Sequence, residues 1–168
     1  MELPGIKAKS LSIGLPFGLG QIEFEANEQE QRAAWSLYVE LQTRIAVQTL
    51  DPDTGLLREA LSSLYSLFGL TREILKEAGP QVAHGENSFG PVAITVLNEG
   101  LRPFTAKWHP RLLAHEQNRA DDVDALAHEK AWEDYDRMRN ELATLQQQMQ
   151  VYVDVLAQIS GAKDLGDS

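Results

Sequence analysis

AWEDYDRMRNELATLQQQMQVYVDVLAQIS, residues 131–160, is the stretch that decides the fold. Apolar residues recur in it at alternating steps of four and three: Ala131, Tyr135, Met138, Leu142, Leu145, Met149, Tyr152, Leu156 and Ile159. This spacing places all of them on one stripe of a long helix, and such a stripe is buried against other helices. The pattern predicts an all-α protein and says nothing about its chemistry.

Three earlier segments also have helical spacing, and we predict helices over residues 27–50, 54–78 and 88–117. Asn27 and Glu30 are in capping-box positions at the start of the first helix. The fourth helix is predicted to begin after Asp121 and Asp122. Pro103 and Pro110 predict a kink near residue 101 and a break at residues 109–110 of the third helix, or two shorter helices in its place.

Short connections between helices of similar length favour antiparallel neighbours. The sequence therefore predicts an up-down four-helix bundle with long antiparallel helices over residues 28–160. Apolar and polar residues alternate on both sides of the turn-rich stretch 16–20, which predicts an N-terminal β-hairpin extension in residues 1–27. Residues 161–168 are expected to form a flexible tail.

Composition restricts the partners. The 168 residues carry a formal charge of −10 and include no cysteine. The charge argues against nucleic acid or an anionic membrane as partner. No apolar run approaches the roughly 20 residues of a membrane span, and the first ten residues contain no secretory signal pattern. We expect a cytoplasmic protein.

The sequence predicts neither an enzyme nor a metal centre. A di-iron bundle would need Glu-x-x-His pairs facing inward, and the sequence has none. His84, His109, His115 and His128 are never four residues apart. His128 falls on the backward extension of the 131–159 stripe, where it is either a buried pH-sensitive group or a partly hydrated residue at the bundle end. We predict no catalytic residues and no cofactor.

The strongest functional signal is the end of the fourth helix. Valines outside the stripe make residues 151–156 apolar on nearly every side, and such a surface has to be covered. The hairpin can cover it within the chain, or a second subunit or partner protein can cover it instead. The predicted partner-binding residues are Val151, Val153, Val155, Leu11, Ile13, Ile22 and Phe24.

A second possible site lies beside the predicted kink in the third helix. Arg102, Trp108, His109 and Arg111 could line a pocket for a carboxylate or phosphate. Alternatively, Trp108 and Phe104 fill the core, and the two arginines cover it or pair with Glu99 and Glu116. The first interpretation predicts a sensor of a small anionic ligand.

The runs LLREALSSLYSLF (residues 56–68), VLNEGLRP (96–103) and WHP (108–110) resemble small helical proteins of bacteria that have no assigned activity. The resemblance implies a place in a bacterial multi-gene system, of the kind used in defence against phage, and no residue roles. Together these observations favour a non-catalytic adaptor or assembly subunit that binds a protein partner or itself.

Overall fold

The computed structural model describes residues 10–162. The predicted extension is therefore described only from Ser10 onward, and most of the predicted tail lies outside the described residues. The chain is mostly helical and has one antiparallel hairpin near its N-terminus. Its elements are β1 (Leu11–Gly14), β2 (Gln21–Phe24), α1 (Glu28–Gln42), α2 (Leu57–Ala78), α3 (Phe89–Thr95), α4 (Arg102–Glu116), α5 (Ala125–Lys130) and α6 (Tyr135–Ser160).

The hairpin packs on the helices of its own chain. Leu11 pairs with Phe24 and Ile13 with Ile22, and directly opposed residues of an antiparallel pair point to the same face. All four apolar side chains therefore share one face, which packs against the helical core. Phe17, at the tip of the hairpin, covers Gly100, where a Cβ atom would lie only 2.5 Å from the Phe17 ring.

Helix α1 has the predicted start and a different end. Its capping box is formed by Asn27 and Glu30. The helix ends at Gln42, eight residues before the predicted boundary, and a 3₁₀ turn at Ile45–Val47 follows. The Thr43 hydroxyl donates back to the carbonyls of Val39 and Glu40, a local bond that competes with continued helix.

The glutamines of α6 stabilise the chain that leaves α1. Gln146 donates to the Gln48 carbonyl over 2.5 Å, and Gln150 donates to the Val47 carbonyl over 3.0 Å. Gln148 accepts from the backbone N–H of Phe17 over 2.7 Å. The glutamine run thus supplies hydrogen bonds to non-helical backbone that would otherwise lack partners.

The third predicted helix is one continuous stretch. Helices α3 and α4 are joined by a π-helical turn, Val96–Leu101, at the position of the predicted kink. The predicted break at His109-Pro110 is wrong, because α4 runs through Pro110. The carbonyl that loses its donor belongs to Ala106, an exposed residue, where water can replace the missing bond.

The fourth predicted helix is divided in two. Residues 131–134 form turns between α5 and α6, so Ala131 does not extend the buried stripe and is exposed. From Met138 to Ile159 the stripe is buried as predicted. The division arises because His128, Glu129 and Trp132 bind other helices instead of continuing the stripe, as described below.

The helices pack against one another around the buried core. Helix α1 packs most extensively on α6 and also on α2, whereas α4 packs on α2 and α6. Helices α1 and α6 run in opposite directions. Gln31, near the start of α1, lies beside Gly161 at the end of α6, whereas the Val47 carbonyl, after the end of α1, accepts from Gln150 earlier in α6. Within residues 10–162, no helix has the length and apolar character that crossing a membrane requires.

Candidate functional site

Most of the predicted partner-binding residues are covered by the chain itself. Val153 is 0% exposed and Val155 2%, and Ile13 and Phe24 are each 1% exposed. Leu11 and Ile22 are half-buried against the same core. Only Val151 is exposed. This corrects the prediction of a free surface made of all seven residues: the hairpin face and the end of α6 are buried within one chain.

The four predicted pocket residues do not converge. Trp108 is fully buried. Arg102 extends over the Phe68 ring and donates to Asn98. His109 contacts Arg58, as described below. Arg111 lies over the Trp108 ring and lines a cleft to which Arg102, Trp108 and His109 do not contribute.

The cleft that Arg111 lines lies between the second half of α4 and the turn before α6. It is open to solvent, has a volume of about 610 Å³, and is lined by Arg111, Ala114, His115, Asn118, Ala131, Trp132, Glu133 and Asp134. Arg111 Nη1 lies 3.9 Å from the Asp134 carboxylate. Because Glu133 and Asp134 offset the charge of Arg111, the cleft has no strong preference for an anion.

Trp108 joins α4 to α6. Its indole Nε1 donates to Glu141 Oε2 over 2.7 Å, and Lys107 Nζ donates to Glu141 Oε1 over 2.6 Å. The hydrogen bond from Lys107, followed by that from Trp108, lowers the pKa of the Glu141 carboxyl. Lys107, Arg111 and Arg137 all lie over the Trp108 ring, with Lys107 Nζ closest at 4.7 Å from the centroid. Trp108 fills the core, as the alternative interpretation predicted.

A polar cluster around Arg58 connects α2 to α4. Arg58 Nε donates to Glu116 Oε1 over 2.6 Å, and Nη1 contacts His109 Nδ1 over 3.3 Å. A guanidinium only donates, so His109 Nδ1 must accept and the neutral ring carries its proton on Nε2. Arg58 Nη2 is buried and has no hydrogen-bond partner among residues 10–162. The cluster positions three side chains on two helices.

Glu129 caps the N-terminus of α2. Its carboxylate is only 3% exposed and accepts from the backbone N–H groups of Leu57 over 2.7 Å and Arg58 over 3.1 Å. Leu56, the residue before α2, has no side chain that can cap the helix, and Glu129 supplies that function from α5. Burial raises the pKa of the Glu129 carboxyl, and the two N–H bonds oppose that shift.

The raised pKa of Glu129 predicts a pH dependence of stability. The folded chain retains a proton on Glu129 at pH values where the unfolded chain has lost it, so this group's contribution is greatest below the ordinary carboxyl pKa and is lost as pH rises. From about pH 4 to pH 7, we expect the unfolding free energy of Glu129→Gln to decline less than that of the wild type. Urea titrations at several pH values measure it.

Glu133→Gln is the matched control, because Glu133 is exposed four residues further along. Its pH profile should coincide with that of the wild type. A Glu129→Gln profile parallel to the wild type across the range would contradict a raised pKa at Glu129.

Two histidine side chains connect α5 to α4. The rings of His115 and His128 are stacked, with centroids 3.9 Å apart and planes at 10°. His115 Nε2 lies 2.6 Å from the His128 carbonyl, and His128 Nε2 lies 2.7 Å from the His115 carbonyl. The Trp132 ring stacks on the other side of His115 with a centroid distance of 5.4 Å. His128 is half-buried, which matches the partly hydrated alternative predicted for it.

The sequence pointed only weakly to these contacts. Arg58 is followed by Glu59, which indicates a surface pair, and its bonds to α4 have no local signature. No sequence signal points to Glu129, because the predicted helix begins at residue 54, where Asp53 could cap it. In the structure α2 begins at Leu57, its N-cap Leu56 makes no side-chain bond, and the N-terminus needs an acceptor from elsewhere.

An exposed apolar pair lies on α1. Trp35 and Val39, one helical turn apart, are each 42% exposed. The Trp35 ring stacks on buried Tyr38 with centroids 5.6 Å apart and planes at 18°. Val151, the exposed member of the predicted set, lies on α6, the main packing partner of α1.

No family model, no curated protein and no solved structure matches this chain. The resemblance to bacterial helical proteins therefore stays a prediction. Within residues 10–162, no group of three or more histidine, aspartate or glutamate side chains is placed to hold a metal ion.

Proposed function

We propose that the protein is a non-catalytic helical adaptor or assembly subunit, and that it binds a protein partner or a second copy of itself through the outward face of α1. The observation that carries the proposal is the exposed pair Trp35 and Val39. Stacking on Tyr38 restricts the Trp35 ring before any partner arrives. A restricted, exposed tryptophan is typical of residues that dominate binding energy at protein interfaces.

The rest of the molecule supports α1 as a rigid scaffold. Helix α1 packs on α2, α2 on α4, α4 on α6, and α6 on α1. This closed order of neighbours supports an up-down four-helix bundle within residues 28–160. The candidate acid and base groups are engaged in structural bonds: Glu129 caps α2, and Arg58 contacts Glu116 and His109. This arrangement favours assembly over catalysis.

The resemblance and the composition favour a cellular setting for this adaptor. The resemblance to bacterial helical proteins favours a multi-gene, defence-type system, and the cysteine-free composition favours the cytoplasm. Proteins encoded by neighbouring genes are accordingly the first partners to test. The charge of −10 disfavours nucleic acid and anionic membranes.

Trp35→Glu tests the α1 surface. Light scattering should show that the wild-type protein forms an oligomer alone, or a complex with a neighbouring gene product, and that Trp35→Glu reduces the measured mass to that of the single chain. Removal of a central aromatic anchor typically weakens binding by about 2 kcal/mol or more, or some thirtyfold.

Leu113→Glu provides the control for the α1 surface. Leu113 is 40% exposed and lies on α4, so the variant changes charge and apolar exposure by similar amounts away from α1. It should assemble as the wild type does. Equal assembly by the wild type and Trp35→Glu, or a wild type that stays monomeric with every neighbouring product, contradicts the proposal.

The alternative function, a sensor of a small anionic ligand beside the third helix, has one supporting observation. Arg111 lines the cleft of about 610 Å³. Glu133 and Asp134 line the same cleft and oppose an anion, so this function is the weaker proposal. A thermal shift with anionic metabolites that disappears in Arg111→Ala would favour it over the adaptor.

A further inference from the structure

We propose that His115 and His128 form an acid-sensitive clasp that holds α5 against α4 at neutral pH and releases it in acid. Two facts of geometry carry the proposal: the rings are stacked at 3.9 Å, and each Nε2 contacts the other residue's backbone carbonyl. Carbonyls only accept, so each Nε2 donates a proton and each neutral ring retains Nδ1 as the site for a second proton. The clasp is complete with both rings neutral.

The two protonation steps have different consequences. The first proton strengthens a hydrogen bond, because an imidazolium is a better donor to a carbonyl than a neutral ring. The second proton places two positive charges in stacked rings 3.9 Å apart. Like charges at this distance repel strongly when partly shielded from water. Separating the two charged rings relieves this repulsion, so acid that protonates both rings favours opening of the clasp.

Charged groups on every neighbouring element modulate this balance. Carboxylates near the pair favour protonation, and cations oppose it. The carboxylates are Glu116 on α4, Asp124 and Glu129 on or beside α5, and Glu133 and Asp134 in the turn before α6; the cations are Arg111 on α4, Lys130 on α5 and Arg58 on α2. The carboxylates outnumber the cations, so the neighbouring groups favour protonation of the pair, and the repulsion between the two charged rings opposes the closed arrangement.

Opening the clasp has a defined structural consequence. Helix α5 has six residues, too few for a helix to persist without outside contacts. Its release would withdraw Glu129 from the N-terminus of α2 and Trp132 from the edge of Trp108, which it now contacts at 5.9 Å. The segment 121–134 would thus change the surface of the α4 side of the protein without disrupting α1 or its packing on α6.

Wild-type protein is the primary test. Histidine ring signals followed by NMR from pH 8 to pH 5 report protonation of each ring, and hydrogen exchange of the α5 amides, corrected for its intrinsic pH dependence, reports opening. Protection of α5 should fall tenfold or more as the second ring of the pair becomes charged, whereas α1 stays protected. Protons on both rings with unchanged α5 protection would overturn the clasp.

His128→Gln separates the charge from the hydrogen bond. Glutamine retains an N–H donor at similar reach and does not titrate, so its α5 protection should vary less than twofold over the same range. His84→Gln, at an exposed histidine in the loop before α3, is the matched control and should respond as the wild type does. An equal pH response in folded His128→Gln and wild type also overturns the proposal. Protonation of Glu129 acts in the opposite direction, because it stabilises the folded chain in acid.

Discussion

Val153→Asp is expected to destabilise the protein by about 4 kcal/mol or more, a large part of the roughly 5–15 kcal/mol by which a domain is typically stable. Val153 is 0% exposed within the single chain. An aspartate there would either place an unpaired charge in the core or require protonation of the carboxyl, and both alternatives cost several kcal/mol. Circular dichroism during urea unfolding provides the measurement.

Val151→Asp is the matched control for this substitution. Val151 lies two residues away on the same helix, undergoes the same change in helix propensity, and is 37% exposed. Its stability should stay within about 0.5 kcal/mol of the wild type. A folded Val153→Asp protein that loses only its oligomeric state would show that Val153 is an interface residue and not part of the core of the single chain.

The comparison of these two valines shows what the sequence could and could not decide. Helical periodicity correctly predicted that Met138, Leu142 and Tyr152 are buried. An apolar stripe on one face of a long helix is removed from water only when that face packs against other helices. The valines outside the stripe require a second cover, and composition alone left two equivalent covers open. Ile13 and Phe24 are buried in the same core as the helices, and contacts between segments far apart in the chain have no local signature in one sequence.

The start of the fourth helix shows a second kind of limit. Periodicity extended the helix back through Ala131, whereas the chain turns at residues 131–134. Local propensity does not favour the turn; three side-chain attachments do, from His128 to α4, from Glu129 to α2 and from Trp132 to Trp108. Tertiary contacts of this kind override a helical pattern. The same contacts bring several titratable side chains together beside α5.

Gly100 and Gln148 help to position the hairpin, but this role could not be predicted from the sequence. Gly100 leaves room for the Phe17 ring, and Gln148 accepts the Phe17 N–H. In the sequence, Gly100 indicates only a weak point in a helix and Gln148 only part of a polar run. Both residues contact the hairpin tip, which supports the view that the hairpin and the helices fold as one unit.

Trp108→Ala is expected to lower the unfolding free energy by about 3–5 kcal/mol. The fully buried indole fills the core between α4 and α6, contacts Trp132, and donates to Glu141. Truncation leaves a cavity and removes one of the hydrogen bonds that hold the Glu141 carboxylate. At about 2–4 °C per kcal/mol for a chain of this size, the melting temperature should fall by roughly 10 °C.

Two variants divide this effect between its causes. Trp108→Phe retains a buried ring and removes the indole N–H, so its loss includes the roughly 1.5–3 kcal/mol of a hydrogen bond to a charged group. Its loss should be smaller than that of Trp108→Ala, which removes both the hydrogen bond and the ring. Trp35→Ala removes an exposed tryptophan and should cost clearly less than Trp108→Ala. If Trp108 instead lined a free ligand pocket, Trp108→Ala would retain the wild-type melting temperature. Such a result would favour the sensor over the adaptor, because the space around Trp108 would then be a site and not a core.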